Sequence, residues 1–117
     1  MSSVKIWHNP RCSKSREAIK VLEENGCDSE VVKYLEATPD INEIKDTLGK
    51  LGISARELMR TKEDIYKELD LKNETDEDKL IEAMSKNPKL IERPVLFKGD
   101  KAIIGRPTSI IADFLNS

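Results

Sequence analysis

VKIWHNPRCSKSREAIKVLEENG (residues 4–26), followed by EVVKYL (residues 30–35), is the stretch that decides the fold. Val4–Trp7 is a short run of strand-forming residues, and His8-Asn9-Pro10 stops it, as expected for a buried first strand and its exit loop. From Ser13 the period changes: Ala18, Ile19 and Leu22 recur at helical spacing. Gly26 then suits the left-handed position just past a helix end. Glu30–Leu35 reads as a second strand. Strand, helix and strand in so short a span form a βαβ unit, which requires parallel pairing and a right-handed crossover.

Working outward, the middle of the chain is helical. Thr38-Pro39-Asp40 supplies an N-cap, a first-turn proline and an acid facing the helix dipole. Ile41, Ile44, Leu48 and Leu51 follow as one apolar stripe that Gly52 closes. Ser54 and Glu57 form a capping box for a short helix with Leu58 and Met59 facing inward. Ile65 and Leu69 mark a further turn or two. Thr75 opens a helix carrying Leu80, Ile81 and Met84, and Asn87-Pro88 breaks it. Pro94–Phe97 and Ala102–Gly105 flank Lys98-Gly99-Asp100-Lys101 as a hairpin. Pro107 and Thr108 begin a last helix with Ile110, Ile111, Phe114 and Leu115. The order is βαβ, a helical insert at about 38–88, then ββα. It is similar to the thioredoxin/glutaredoxin-like arrangement: α/β, a mixed β-sheet flanked by helices, with the crossover enlarged into a subdomain.

Composition is consistent with one domain of 117 residues. Ile, Leu, Val and Phe supply 30 residues, enough for a modest core despite 36% charged residues. The formal charge of −2 argues against binding nucleic acid through bulk charge. No apolar run approaches the ~18 residues that span a bilayer, and the N-terminus has no signal-peptide run, so the expected setting is a reducing cytoplasm. Two cysteines there are poor candidates for a structural staple. Neither sits in CxxC, which excludes a zinc ribbon or a local dithiol centre.

Cys12 falls between the first strand and the first helix. A thiol there faces unpaired N–H groups and the positive end of the helix dipole, both of which favour thiolate. Arg11, Lys14 and Arg16 add positive charge, and Ser13 and Ser15 add hydroxyls. Such a thiolate can attack an oxyanion centre while the site neutralises its charge. Cys27 lies at the other end of the helix, some 15–20 Å away at ~1.5 Å rise per residue, so an internal dithiol cycle is closed to it. His8, the single histidine, either orients the Cys12 loop or simply packs.

His8-Asn9-Pro10-Arg11-Cys12-Ser13-Lys14-Ser15-Arg16 resembles the H-N-P-x-C-x-x-S-R loop of the glutaredoxin-linked arsenate reductases, the ArsC family. The resemblance continues in order through Tyr34-Leu35-Glu36, Leu51-Gly52-Ile53-Ser54, Leu58-Met59-Arg60, Ile91-Glu92-Arg93-Pro94 and Gly105-Arg106-Pro107. It implies that Cys12 attacks arsenate and forms a thiol–arsenate adduct, with His8, Asn9, Ser15 and Arg16 supporting the thiolate. It also implies that Arg60, Arg93 and Arg106 gather around the sulfur and hold the oxyanion. Three guanidiniums can offset a multiply charged anion through forked hydrogen bonds. Pro94 matches a proline that is cis in relatives, which predicts a cis Arg93–Pro94 bond. Glutathione and glutaredoxin are then the outside reductants. No metal or bound cofactor is required, and a monomer is expected.

The same resemblance leaves two further readings. This is a short member of the family, and Spx-like regulators use the fold to bind RNA polymerase, often with C-x-x-C where Ser15 stands here. A monothiol oxidoreductase acting on glutathione mixed disulfides, without arsenate, is the other.

Overall fold

A computed structural model describes residues 3–105 and 109–115. The chain divides into two compact units, Met1–Ala37 with Arg93–Ser117, and Thr38–Glu92. The second corresponds to the expected insert and runs four residues further than 88.

The first unit holds a four-stranded mixed sheet. Its strands are β1 (Ser3–Trp7), β2 (Asp28–Val32), β3 (Val95–Lys98) and β4 (Lys101–Ile104), in the order β2-β1-β3-β4. β1 runs parallel to β2, and β3 is antiparallel to both β1 and β4. Two helices belong to this unit, α1 (Ser13–Glu24) and α6 (Ile110–Leu115). Ala18 and Leu22 of α1 and Ile111, Phe114 and Leu115 of α6 bury against Val4, Ile6 and Leu96 of the sheet. Alternation along the strands sends Lys5, Trp7 and Phe97 to the other face. There the Trp7 ring meets Phe97 edge-on at 5.1 Å and Tyr34 at 6.4 Å. The hairpin turns through Gly99, whose φ of 60° lies in the left-handed region.

The second strand is shorter and earlier than expected, Asp28–Val32 instead of Glu30–Leu35. Pairing with Ser3–Trp7 sets its register, and Lys33–Ala37 turns away from the sheet. Pro107 and Thr108, the expected start of the last helix, lie outside the described residues. Ile110 is exposed rather than inward, because it is the first residue of a short helix.

Gly105 is packed closely. Its N–H donates to the Pro94 carbonyl at 2.8 Å, and a Cβ built there would lie 2.8 Å from Leu96 Cδ1 and 3.2 Å from Ile111 Cδ1. Gly105→Ala is therefore expected to destabilise the fold by ~1–3 kcal/mol through overpacking. A lowered urea midpoint at unchanged slope would register this.

The second unit contains α2 (Ile41–Leu51), α3 (Ala55–Leu58), α4 (Asp64–Glu68) and α5 (Glu77–Lys86), with single 3-10 turns at Leu71–Asn73 and Pro88–Leu90. Asp40, not Thr38, caps α2: its carboxylate accepts the Glu43 N–H at 2.8 Å, where a charged acceptor gains from the dipole. Likewise Asp76, not Thr75, opens α5 by accepting the Asp78 N–H. The Ser54/Glu57 capping box is formed, and Gly52 ends α2 at φ 69°. Tyr66 takes the inward place in α4 and Leu69 is exposed, because the Arg56 guanidinium binds the Tyr66 hydroxyl. Arg56 also donates to the carbonyls of Leu71 and Glu74, tying three segments of this unit together. No helix among the described residues is long and apolar enough to cross a membrane.

Candidate active site

The register of the sheet determines what surrounds Cys12. Trp7, at the end of β1, pairs with Val32 on one side and Val95 on the other. The loop His8–Cys12 therefore leaves the sheet between two neighbours. On the β2 side, the His8 N–H extends the ladder to the Val32 carbonyl at 2.8 Å, which brings Lys33 alongside His8. On the β3 side, the antiparallel register ends at Val95, which Arg93 and Pro94 immediately precede in the chain. The Arg93–Pro94 peptide bond is cis.

The loop is braced by its own polar groups. The Cys12 N–H donates to the Asn9 carbonyl and the Arg11 N–H to Asn9 Oδ1, each at 3.0 Å. Arg16 reaches back one turn and donates from Nη1 to the Pro10 carbonyl at 2.9 Å. Ser15, fully buried, is bonded through Oγ to His8 Nδ1 at 2.6 Å and accepts the Asn9 N–H at 3.0 Å. His8 is held below its ordinary pKa by burial first, then by the positive charges of Lys33 and Arg16, so its imidazole is neutral at pH 7. One neutral tautomer accepts the Ser15 hydroxyl proton and the other donates to that oxygen. Either arrangement satisfies a buried polar side chain that would otherwise cost ~1–3 kcal/mol.

Cys12 occupies the N-cap position of α1, with extended backbone at φ −96° and ψ 123°. Its side chain forms no conventional cap hydrogen bond. Burial pushes the thiol up, but the Ser15 N–H, the Arg93 guanidinium and the Lys14 N–H together outweigh it, and the pKa falls below the ordinary cysteine value. Arg93 acts both by hydrogen bonding and by charge. The result is a partly exposed thiol disposed to ionise, which is the state that performs nucleophilic chemistry.

The remaining residues singled out from the sequence are placed as follows. Arg60 lies in the Thr38–Glu92 unit, where Nη1 contacts Glu92 Oε1 at 3.1 Å and Nε lies 4.0 Å from Glu63 Oε1. The Met59↔Ile91 bridge brings Glu92 there. Arg106 lies outside the described residues. Cys27 is free, half-buried at the far end of α1, and packs against the core of its unit. Lys33 was not singled out from the sequence. The signal that could have found it is positional, since the residue after the parallel partner of Trp7 must lie beside His8.

Comparison with known proteins places these features in a family. The ArsC family model matches residues 7–114. The chain is 53% identical over 109 residues to an arsenate reductase of Neisseria meningitidis, covering 92% of this chain and 93% of that one. It is 54% identical over 114 residues to the Escherichia coli protein YfgD, whose name assigns no activity, with 96% of each chain covered. The solved structure of an arsenate reductase from Vibrio cholerae superimposes with a TM-score of 0.94 at 44% identity, covering 97% of this chain and 98% of that one.

Proposed function

The chain belongs to the ArsC family, and on that premise we propose that it is an arsenate reductase in which Cys12 is the nucleophile. The observation that carries this reading is the setting of the sulfur at the N-cap of α1, with backbone N–H groups and the Arg93 guanidinium favouring its anion. The Cys12 thiolate attacks arsenic, and an oxygen leaves as hydroxide or, once protonated, water. The adduct is a Cys12–S–As(V) species. The thiolate of glutathione then attacks the Cys12 sulfur and an S–S bond forms. The S–As bond breaks with its electron pair passing to arsenic, which departs as As(III), arsenite. The two electrons come from the two thiols. Glutaredoxin removes glutathione from Cys12 and restores the thiol.

Ser15 supports this one-thiol scheme. It stands where a C-x-x-C partner would be, buried and engaged by His8 and Asn9, so the loop offers no second sulfur. The mixed disulfide must therefore be cleared from outside, which fits a borrowed reductant. The cytoplasm, with its glutathione pool, is the compartment this chemistry requires.

Arg93 is assigned as an oxyanion ligand on the family resemblance, and its hydrogen bond and charge at the Cys12 sulfur support that reading. Arg60 and Arg106 are assigned to the same role on the family resemblance alone. Arg60→Ala is expected to lower kcat/KM for arsenate about ten-fold while leaving alkylation of Cys12 unchanged, since the groups that lower the thiol pKa are the Ser15 and Lys14 N–H groups and Arg93. Unchanged arsenate kinetics would remove Arg60 from the site. The test of the whole reading is arsenate-dependent NADPH oxidation coupled through glutathione, glutaredoxin and glutathione reductase.

A further inference from the structure

Beside the Cys12 loop lies a cleft of about 290 Å³ whose walls include His8, Pro10, Arg11, Lys33, Leu35 and Glu36. Every one of these residues belongs to the unit that carries Cys12. The volume is at the small end of ligand clefts, ~300–1,000 Å³, so it suits a small molecule and not the surface of a folded protein. Arg11, Lys33 and Glu36 take part in no ion pair among the described residues. Lys33 is held close to His8 by the strand register, near enough that its charge helps keep the imidazole neutral. The cleft thus presents two cations, one carboxylate, and an apolar wall of Pro10 and Leu35.

We propose that this cleft is the subsite for the small thiol that resolves the Cys12 adduct, and that Lys33 is its specificity-determining residue. The proposal rests on the reductase reading above and deepens it. The matching ligand class carries two carboxylates and one ammonium, the reverse of the wall's two cations and one carboxylate. γ-Glutamyl tripeptide thiols such as glutathione have that charge set. Lys33 and Arg11 receive the carboxylates, Glu36 receives the ammonium, and the aliphatic backbone of the peptide lies on Leu35 and Pro10. Arg11, which lines the cleft, is the residue immediately before Cys12, so a thiol seated there lies beside the segment that carries the nucleophile. Lys33 touches neither arsenate nor the reacting sulfur. It selects which thiol arrives.

Two readouts test this. The first uses S-methylglutathione, which binds but cannot react, titrated into the 15N-labelled wild-type chain. Amide signals of Arg11, Lys33 and Glu36 are expected to move with it, but not with its dimethyl ester, in which the carboxylates are masked. K33E, a substitution at an exposed position, should lose the response while keeping the wild-type spectrum outside the His8–Ser15 loop, whose imidazole feels the Lys33 charge. The second is turnover: K33E is expected to raise KM for glutathione about ten-fold and leave KM for arsenate unchanged. Equal shifts with the ester, an undiminished response in K33E, or an unchanged KM for glutathione would overturn the subsite. Wild-type chain that binds S-methylglutathione as described, yet never turns over arsenate, would refute the reductase reading and leave the subsite standing. Turnover without any amide response would do the opposite.

Discussion

Cys12→Ser is expected to reduce arsenate-dependent turnover roughly a thousand-fold or more, to the uncatalysed background. The N-cap position and its N–H groups suit an anion, and sulfur ionises within reach of neutral pH under their influence. A serine hydroxyl in the same place does not, so the nucleophile is lost. Nor can an oxygen at this position accept a second thiol to form a disulfide, so the second step is lost with the first. The substitution is nearly isosteric at a half-buried site, and serine is a favoured N-cap. Stability should therefore be unchanged or slightly raised. A urea melt alongside the coupled assay separates loss of chemistry from loss of fold.

Arg93→Ala should produce the next largest effect, about a hundred-fold in kcat/KM for arsenate, the scale found when one oxyanion donor is removed. The same change has a signature independent of arsenate. Arg93 favours the Cys12 anion by a hydrogen bond and by charge, so its removal lets the pKa rise. The sign follows directly: less thiolate is present at any pH below the new pKa, and alkylation of Cys12 slows there. The pH profile of iodoacetamide labelling should shift to higher pH in the variant. Arg93→Lys should recover part of that shift, because the charge remains, but little of the arsenate kinetics, because the fork does not. A labelling profile that does not move would remove Arg93 from the sulfur's surroundings.

Much of this was legible in residues 4–26. A strand stopped by His8-Asn9-Pro10, then a helix opening at Ser13, places Cys12 at a helix start whatever the rest of the chain does. The capping box at Ser54 and the αL glycines 26, 52 and 99 were equally local signals. What local patterns could not supply was register. EVVKYL reads as a strand by composition, yet pairing with β1 takes Asp28–Val32 and leaves Tyr34 buried outside the sheet. That shift is also why the role of Lys33 is not legible in the sequence, since its place beside His8 exists only once Trp7 pairs with Val32. Arg60 shows a second limit. Its neighbour Glu63 is local, across a turn in which the Glu63 N–H donates to the Arg60 carbonyl, but Glu92 arrives through a bridge between residues 59 and 91 that no local pattern encodes. The spacing of Arg16 places its charge one turn from Cys12, but that its guanidinium holds the Pro10 carbonyl and braces the loop is not legible from spacing.

The central claim, that one thiol reduces arsenate and is left joined to the attacking thiol, is tested most directly by a single turnover without glutaredoxin. Wild-type chain would be incubated with arsenate and glutathione, arsenite quantified, and the protein examined by intact and peptide mass spectrometry. The account predicts close to one arsenite per chain, with glutathione attached at Cys12 and Cys27 unmodified. Arsenite formed without modification of Cys12, or no arsenite at all from a chain whose Cys12 remains alkylatable, would contradict it.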